Sequence, residues 1–242
     1  MKKIGVLEPI WNQEPFILPH FKMLESYGVD KIVVLMAERP LPQYFTEHGY
    51  SLKADRSQEL LKKYFPKVEI HPSTYSEEFG APLYNEGLKY VQDCDTVLIL
   101  DTDMLFTKNN WKKMMDFIKN TDYDCYRLNY IKNSINYYMD FDHGLMDAKE
   151  MDPRAINPKH DLEWVLDYPH GKQHLMEWEG WMCHHFRGWD KPKSVTKDWP
   201  NTEYAKSAFK SYSNKGDWFH CPDEIKKMFD PDTMKTWLDK IK

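Results

Sequence analysis

One stretch constrains this 242-residue chain more than any other: Asp95-Thr96-Val97-Leu98-Ile99-Leu100-Asp101-Thr102-Asp103-Met104-Leu105-Phe106. Its β-branched and apolar run predicts a strand buried on both faces, as in a parallel sheet. The strand then delivers two carboxylates one residue apart. In an extended chain alternate side chains share a face, so Asp101 and Asp103 would look at one site and Thr102 away from it. Two acids at the end of a buried strand repel one another and resist desolvation, and a bound cation relieves both costs. An isolated Asp-x-Asp is equally compatible with a plain turn, or with a cap on the helix expected from about Trp111. The flanking chain has to decide.

Upstream, the chain alternates strand and helix. Lys3 to Leu7 predicts a strand, and the polar, proline-bearing run Glu8 to Pro15 a break. Phe16, Ile17, His20/Phe21, Leu24 and Tyr27 recur at helical spacing, and Gly28 is placed to end that helix. Ile32 to Met36 is a second buried strand, and Arg39 to Gln43 a proline-rich loop. A short amphipathic helix over Ser57 to Phe65 is closed by Pro66, a third strand covers Val68 to Pro72, and a loop covers Ser73 to Phe79. A helix over Ala81 to Val91 leads into the Asp-x-Asp strand. Short joints between such elements imply right-handed βαβ units and a mainly parallel sheet flanked by helices, an α/β fold. Open sheets of this kind bind ligands beyond the carboxyl ends of their strands. Asp101, Asp103 and the loop after the first strand all belong to that end, which favours a ligand site over a plain turn.

Downstream, Asn110 to Lys119 predicts another helix, with Asn109 or Asn110 as its cap, and Tyr123 to Ile131 a strand. Periodicity then weakens. Residues 133 to 175 predict loops, short helices and an edge hairpin. The tail, Asp223 to Lys242, predicts two short helical pieces split by Pro231. The expected organisation is a sheet-bearing half, 1–120, and a loop-rich and helical half, 121–242, of one domain.

Composition sets the outer bounds. A charged fraction of 29% beside a hydrophobic fraction of 41% is that of a folded globule. The net charge of -5 excludes a protein that coats nucleic acid through its whole surface, though not a local basic groove. No apolar run nears the roughly 20 residues of a membrane span. The run after Lys2-Lys3 stops at Glu8-Pro9, too short for a secretory signal. Cys94, Cys125, Cys183 and Cys221 form no CxxC and read as reduced thiols. Together these predict a soluble cytoplasmic protein. Aromatics reach 15% and gather after residue 120, where flat rings can stack on sugars or bases.

Three segments carry a family resemblance. Ile4-Gly5-Val6-Leu7-Glu8-Pro9-Ile10-Trp11-Asn12-Gln13-Glu14, Leu83-Tyr84-Asn85-Glu86-Gly87-Leu88 and Asp95 to Phe106 resemble, in this order, three elements of one known family. They are the opening strand and turn, the helix before the metal strand, and the DxD strand of family-2-like glycosyltransferases with the GT-A (Rossmann-like) fold. The resemblance covers about half the chain. It implies a nucleoside-diphosphate-sugar donor and a divalent cation, Mn²⁺ or Mg²⁺ in view of the oxygen ligands. It also implies that Asp103 ligates the cation and that Asp101 holds the ribose or a metal-bound water. Pro9, Trp11, Glu38, Asn85 and Thr102 would line the donor beside them. Glu38 stands where many family members have an aspartate that contacts the nucleotide, so the donor nucleotide stays open.

The second half offers the remaining groups. The resemblance makes His184 or His185 a further metal ligand, and adjacent histidines on a strand point opposite ways, so only one of them can serve. An inverting transfer needs a base for the acceptor hydroxyl. Glu179, before Gly180, is the first candidate and Asp167 the second; a retaining transfer needs neither. The same acids and histidines are also compatible with a solvated, aromatic-packed surface. Lysines between 191 and 215, interleaved with aromatics, make an ordinary solvated face or a track for a polyanion. The acceptor class is therefore open: a glycan, a small molecule, a protein or a modified nucleic-acid base. Two other functions compete. A nucleotidyltransferase uses a similar sheet but normally a Gly-rich, basic loop after its first strand, which Glu8-Pro9-Ile10-Trp11-Asn12-Gln13 is not. A non-catalytic glycan- or nucleic-acid-binding module would use its acids only for a structural ion.

Overall fold

A computed structural model describes residues 2–39, 53–74, 81–120 and 223–231, together with seven strands between residues 125 and 185. The sequence order of elements holds through the first half. Strand β1 spans Ile4–Ile10, helix α1 Glu14–Ser26, β2 Lys31–Arg39, α2 Ser57–Tyr64, β3 Glu69–Thr74, α3 Ala81–Val91, β4 Thr96–Ile99, β5 Met104–Leu105 and α4 Lys108–Asn120. Six short strands follow: β6 Cys125–Leu128, β7 Ser134–Asn136, β8 Pro153–Ile156, β9 Trp164–Val165, β10 Tyr168–Pro169, β11 Gln173–Met176; then β12 Cys183–His185 and a last helical turn, α5, Asp223–Lys226.

Among the described residues the main sheet has seven strands in the order β11-β6-β8-β4-β1-β2-β3. Strands β4, β1, β2 and β3 are mutually parallel. Strand β8 runs antiparallel to both β4 and β6, and β11 runs parallel to β6. This is the expected α/β architecture, a mainly parallel sheet flanked by helices.

Alternation within each central strand fills both faces. Val6, Val34 and Leu98 join one core with Phe16 and Phe21 of α1, Leu61 of α2, and Trp111 and Met114 of α4. Leu7, Val33, Leu35, Val97 and Ile99 join the opposite core with Leu88 and Val91 of α3. A strand buried on both sides must be apolar throughout, which is why these segments read as continuous hydrophobic runs. Gly87 lets α3 approach: a Cβ there would stand 2.7 Å from the Leu7 side chain and 2.9 Å from that of Leu35. Gly28, with φ +72°, takes the left-handed position after α1, as expected of a glycine ending a helix.

Two expectations are corrected. The run Glu8-Pro9-Ile10 is not a break; it continues β1 and pairs with Val34, Leu35 and Met36 of β2. Pairing with β4 stops at Leu7–Ile99, so beyond that point β1 has a neighbour on one side only, where a strand tolerates proline. The weakly periodic region 133–175 contributes two strands to the main sheet. Of these β8 lies in its interior, between β4 and β6. A four-residue strand opening on Pro153 carries no periodic signal long enough to read.

The C-terminal turn returns to the first half. Ile225 and Phe229 are buried in the α1–α4 core, and Phe229 meets Phe16 edge-on at 6.1 Å. Glu224 accepts hydrogen bonds from the Tyr27 hydroxyl (3.0 Å) and from the Lys108 backbone N–H (2.8 Å), capping α4 from a distance in sequence.

Candidate active site

The site is built where β1 and β4 end. After Ile99 the backbone leaves the sheet, and Asp101-Thr102-Asp103 forms a tight turn closed by the Met104 N–H on the Asp101 carbonyl (2.9 Å). The extended geometry expected of the two acids is thus replaced by a turn. Thr102 is buried while Asp101 and Asp103 are half-buried, which fits carboxylates held at a wet strand end. Oxygen donors of this kind suit a hard divalent cation. Among the described residues no three His, Cys, Asp or Glu side chains converge on one point, so a full ligand shell would have to draw on donor atoms of the ligand, water or the rest of the chain.

The chain leaving the turn, β5, crosses into a second sheet of order β5-β12-β7. There β12 runs antiparallel to β5, with His185 opposite Met104 and His184 opposite Leu105. The backbone of the histidine pair therefore lies beside the exit of the Asp-x-Asp turn, 80 residues away in sequence. Glu179 and Asp167 lie outside the described residues.

The loop from β1 to α1 is pinned by polar contacts. Asn12, at φ 51°, accepts from the Asp55 N–H (2.9 Å) and donates to the Lys53 carbonyl (3.0 Å). The first free N–H groups of α1 are taken by the chain itself: Gln13 N–H donates to Ser57 Oγ (2.9 Å) and Glu14 N–H to Asp55 Oδ2 (2.9 Å). Asp55 Oδ1 in turn accepts from the Ser57 N–H (2.8 Å), and Arg56 pairs with Glu14. The Asn12-Gln13-Glu14 turn thus has a bracing role. Pro9 pairs with Leu35 in the β1–β2 ladder, and Trp11 follows at the strand end, its indole N–H buried without a hydrogen-bond partner among the described residues. Glu38 falls where the β2–β3 register shifts, between Ala37 and Arg39. Asn85 is half-buried on α3, and its neighbour Glu86 accepts from Ser73 Oγ (2.8 Å), tying α3 to the end of β3.

Beneath the acidic turn sits a pair that sequence reasoning missed. Glu8 and His20 are both fully buried, with Glu8 Oε1 2.5 Å from His20 Nε2. The other ring nitrogen, Nδ1, lies 2.9 Å from the Met104 carbonyl. Burial raises Glu8 above the usual carboxylate range; His20 opposes this, and the charges of Asp101 and Asp103 push it further up. Burial would lower His20, but the Glu8 carboxylate, the Met104 carbonyl and Asp103 outweigh it and hold His20 raised. The usable signal was an acid flanked by strand residues, with a histidine on the inward face of the next helix.

These features are those of an α/β fold of the GT-A, Rossmann-like type. Neither a family model nor a curated protein matches the chain. Solved structures do. The chain is similar to S. aureus TarS 1-349 in complex with UDP-GlcNAc, at 13% identity and a TM-score of 0.51, over 88% of this chain and 66% of that one. It is similar to the mannosyltransferase PcManGT from Pyrobaculum calidifontis in complex with GDP-Man and Mn²⁺, at 11% identity and a TM-score of 0.50, over 99% of this chain and 79% of that one. A 4-diphosphocytidyl-2C-methyl-D-erythritol synthase from Anaerococcus prevotii follows at 12% identity and a TM-score of 0.42, over 88% of this chain and 97% of that one. No helix among the described residues is long and apolar enough to cross a membrane.

Proposed function

We propose that the chain is a metal-dependent glycosyltransferase that moves a sugar from a nucleoside diphosphate to a hydroxyl acceptor. The observation that carries this reading is the Asp101-Thr102-Asp103 turn at the carboxyl end of β4, beside β1, in a GT-A-type sheet. Asp103 ligates the cation and Asp101 holds the ribose side of the donor. Either His185 or His184 completes the ligand set, since β12 runs alongside the exit of the turn. When bound, the cation neutralises charge on the departing diphosphate. Pro9, Trp11, Glu38 and Asn85 line the donor, and Thr102, whose side chain is buried, contributes the backbone of the turn between the two acids. In an inverting reaction Glu179, or else Asp167, takes the proton of the acceptor hydroxyl as the new glycosidic bond forms. The transfer takes place in the cytoplasm, on an acceptor that is a glycan, a small molecule, a protein or a modified nucleic-acid base.

The β1–α1 loop supports this reading over nucleotidyl transfer. An enzyme that binds phosphates at the start of α1 needs those backbone N–H groups free. Here Ser57 and Asp55 occupy them, and a carboxylate already stands where an anion would go.

The test is a thermal-shift panel of UDP-, GDP-, CMP- and TDP-sugars with and without Mn²⁺. A donor at 100 times its dissociation constant stabilises by roughly 2.7 kcal/mol. That shift should require Mn²⁺ and should vanish in a folded Asp103→Ala variant. A panel with no metal-dependent shift would sink the proposal.

A further inference from the structure

The Glu8–His20 pair is expensive, and its geometry shows what it holds. Both side chains are fully buried in the core that contains Val6, Ile10 and Phe21, and Glu8 Oε2 has no hydrogen-bond partner among the described residues. Apolar residues of similar volume would avoid that cost, so cohesion alone does not account for a charged pair here. A carbonyl oxygen can only accept, so His20 Nδ1, 2.9 Å from the Met104 carbonyl, must carry its proton. At 2.5 Å, Nε2 and Glu8 Oε1 need a second proton between them. The ring is therefore anchored at both ends, and Glu8 sets the orientation in which Nδ1–H reaches the carbonyl.

That carbonyl belongs to the residue that closes the acidic turn. Met104 directs its N–H back to the Asp101 carbonyl and receives His20 on its own carbonyl. The residue directly after Asp103 is thus tied on one side to the turn and on the other to α1 and β1. The histidine strand β12 pairs with this same residue, through His185.

We propose that His20, oriented by Glu8, is a positioning residue for the Asp101-Thr102-Asp103 turn, acting through the Met104 carbonyl. The role rests on the reading of that turn as the cation and diphosphate site. Groups that orient a metal ligand without touching the metal typically change affinity 10- to 100-fold when lost.

Two amides separate this role from mere filling of space. The amide nitrogen of an asparagine reaches the place of Nδ1, and that of a glutamine reaches the place of Nε2. His20→Asn keeps the donor to Met104 and gives up Glu8; His20→Gln does the reverse. The full chain is titrated with UDP or GDP in the presence of Mn²⁺. The expected result is binding within about twofold of the unsubstituted chain for His20→Asn and about tenfold weaker for His20→Gln, measured at a temperature where both variants are folded. Equal losses in the two variants, or none in His20→Gln, overturn the proposal. Glu8→Gln, whose amide can donate to Nε2 and leave Nδ1–H on Met104, should bind like the unsubstituted chain; a loss as deep as that of His20→Gln also overturns it. If the unsubstituted chain binds neither of these, nor any donor of the wider panel, with Mn²⁺, the transferase reading fails, and backbone hydrogen exchange over residues 101–106 decides the tether. Faster exchange in His20→Gln than in His20→Asn supports it, and equal exchange overturns it. Should His20→Gln not fold, the same comparison is made between Glu8→Gln and Glu8→Leu: protection kept in the first and lost in the second supports the tether, and equal protection overturns it.

Discussion

The two ends of the parallel sheet carry the same kinds of ionisable group in opposite surroundings. At the amino ends, Lys3 and Lys31 meet Asp93, and Lys31 also meets Glu69 at 3.4 Å, with Asp93 and Glu69 about half exposed. At the carboxyl ends, Glu8 and His20 meet in full burial. Water screens the first group, so its members attract weakly and can be exchanged at little cost. The second group has no water to fall back on, so each member depends on the other and on the Met104 carbonyl. The difference teaches where the fold tolerates change and where it has been tied to one geometry. The tied end is the one that bears the acidic turn.

The largest effect should come from leaving one buried partner alone. His20→Leu strands Glu8 in the core and should cost about 3–5 kcal/mol in a urea unfolding curve; a loss below about 1 kcal/mol would erase the contrast between the two ends. Next comes pH. Both buried groups bind protons more tightly folded than unfolded, since both are raised from their ordinary values of 4.5 and 6.5. Stability from the pair is therefore fully present below those values and is lost as pH rises through the raised folded ones. Urea midpoints of the unsubstituted chain should fall from pH 6 to pH 9, and replacing both groups together, Glu8→Leu with His20→Leu, should flatten that slope. The smallest effect belongs to the exposed end. Asp93 is held at about 2 by hydrogen bonds from Lys3 and Lys31, so its contribution is present above the usual carboxylate value and is lost only as pH falls toward 2. Because the group is solvated, Asp93→Asn should leave the midpoint unchanged within error between pH 5 and 8, and added salt should change it no further. A clear shift would mean that the amino ends are tied as tightly as the carboxyl ends.

The contrast also explains what could be read from the residues in order. The strand–helix alternation over residues 3–120 was legible because each element meets the core on its own, as a run or as a 3.6-residue stripe. Ala81–Val91 begins and ends where the pattern says. Asp101-Thr102-Asp103 was legible as a pair of acids at a strand end, though not as a turn. Local pattern says nothing of where β4 stops pairing, and it stops two residues before Asp101. Glu8 was misread because an acid beside a proline looks like a break; its burial depends on His20 arriving from the next helix, and pairing of that kind leaves no periodic trace. The interior strand β8 escaped for a related reason, since its four residues owe their conformation to β4 and β6 on either side.

What the sequence determined by itself, then, is the parallel α/β framework and the place of its acidic turn, because buried strands and amphipathic helices are written in the local rhythm of apolar residues. The tertiary structure alone decided three things: that α1 is capped by Asp55 and Ser57, that β12 lies along the exit of the turn, and that Glu8 and His20 share protons beneath it. Each needs residues far apart in the chain to meet, and a hydrogen bond between such residues is set by the packing of whole elements rather than by any stretch of sequence.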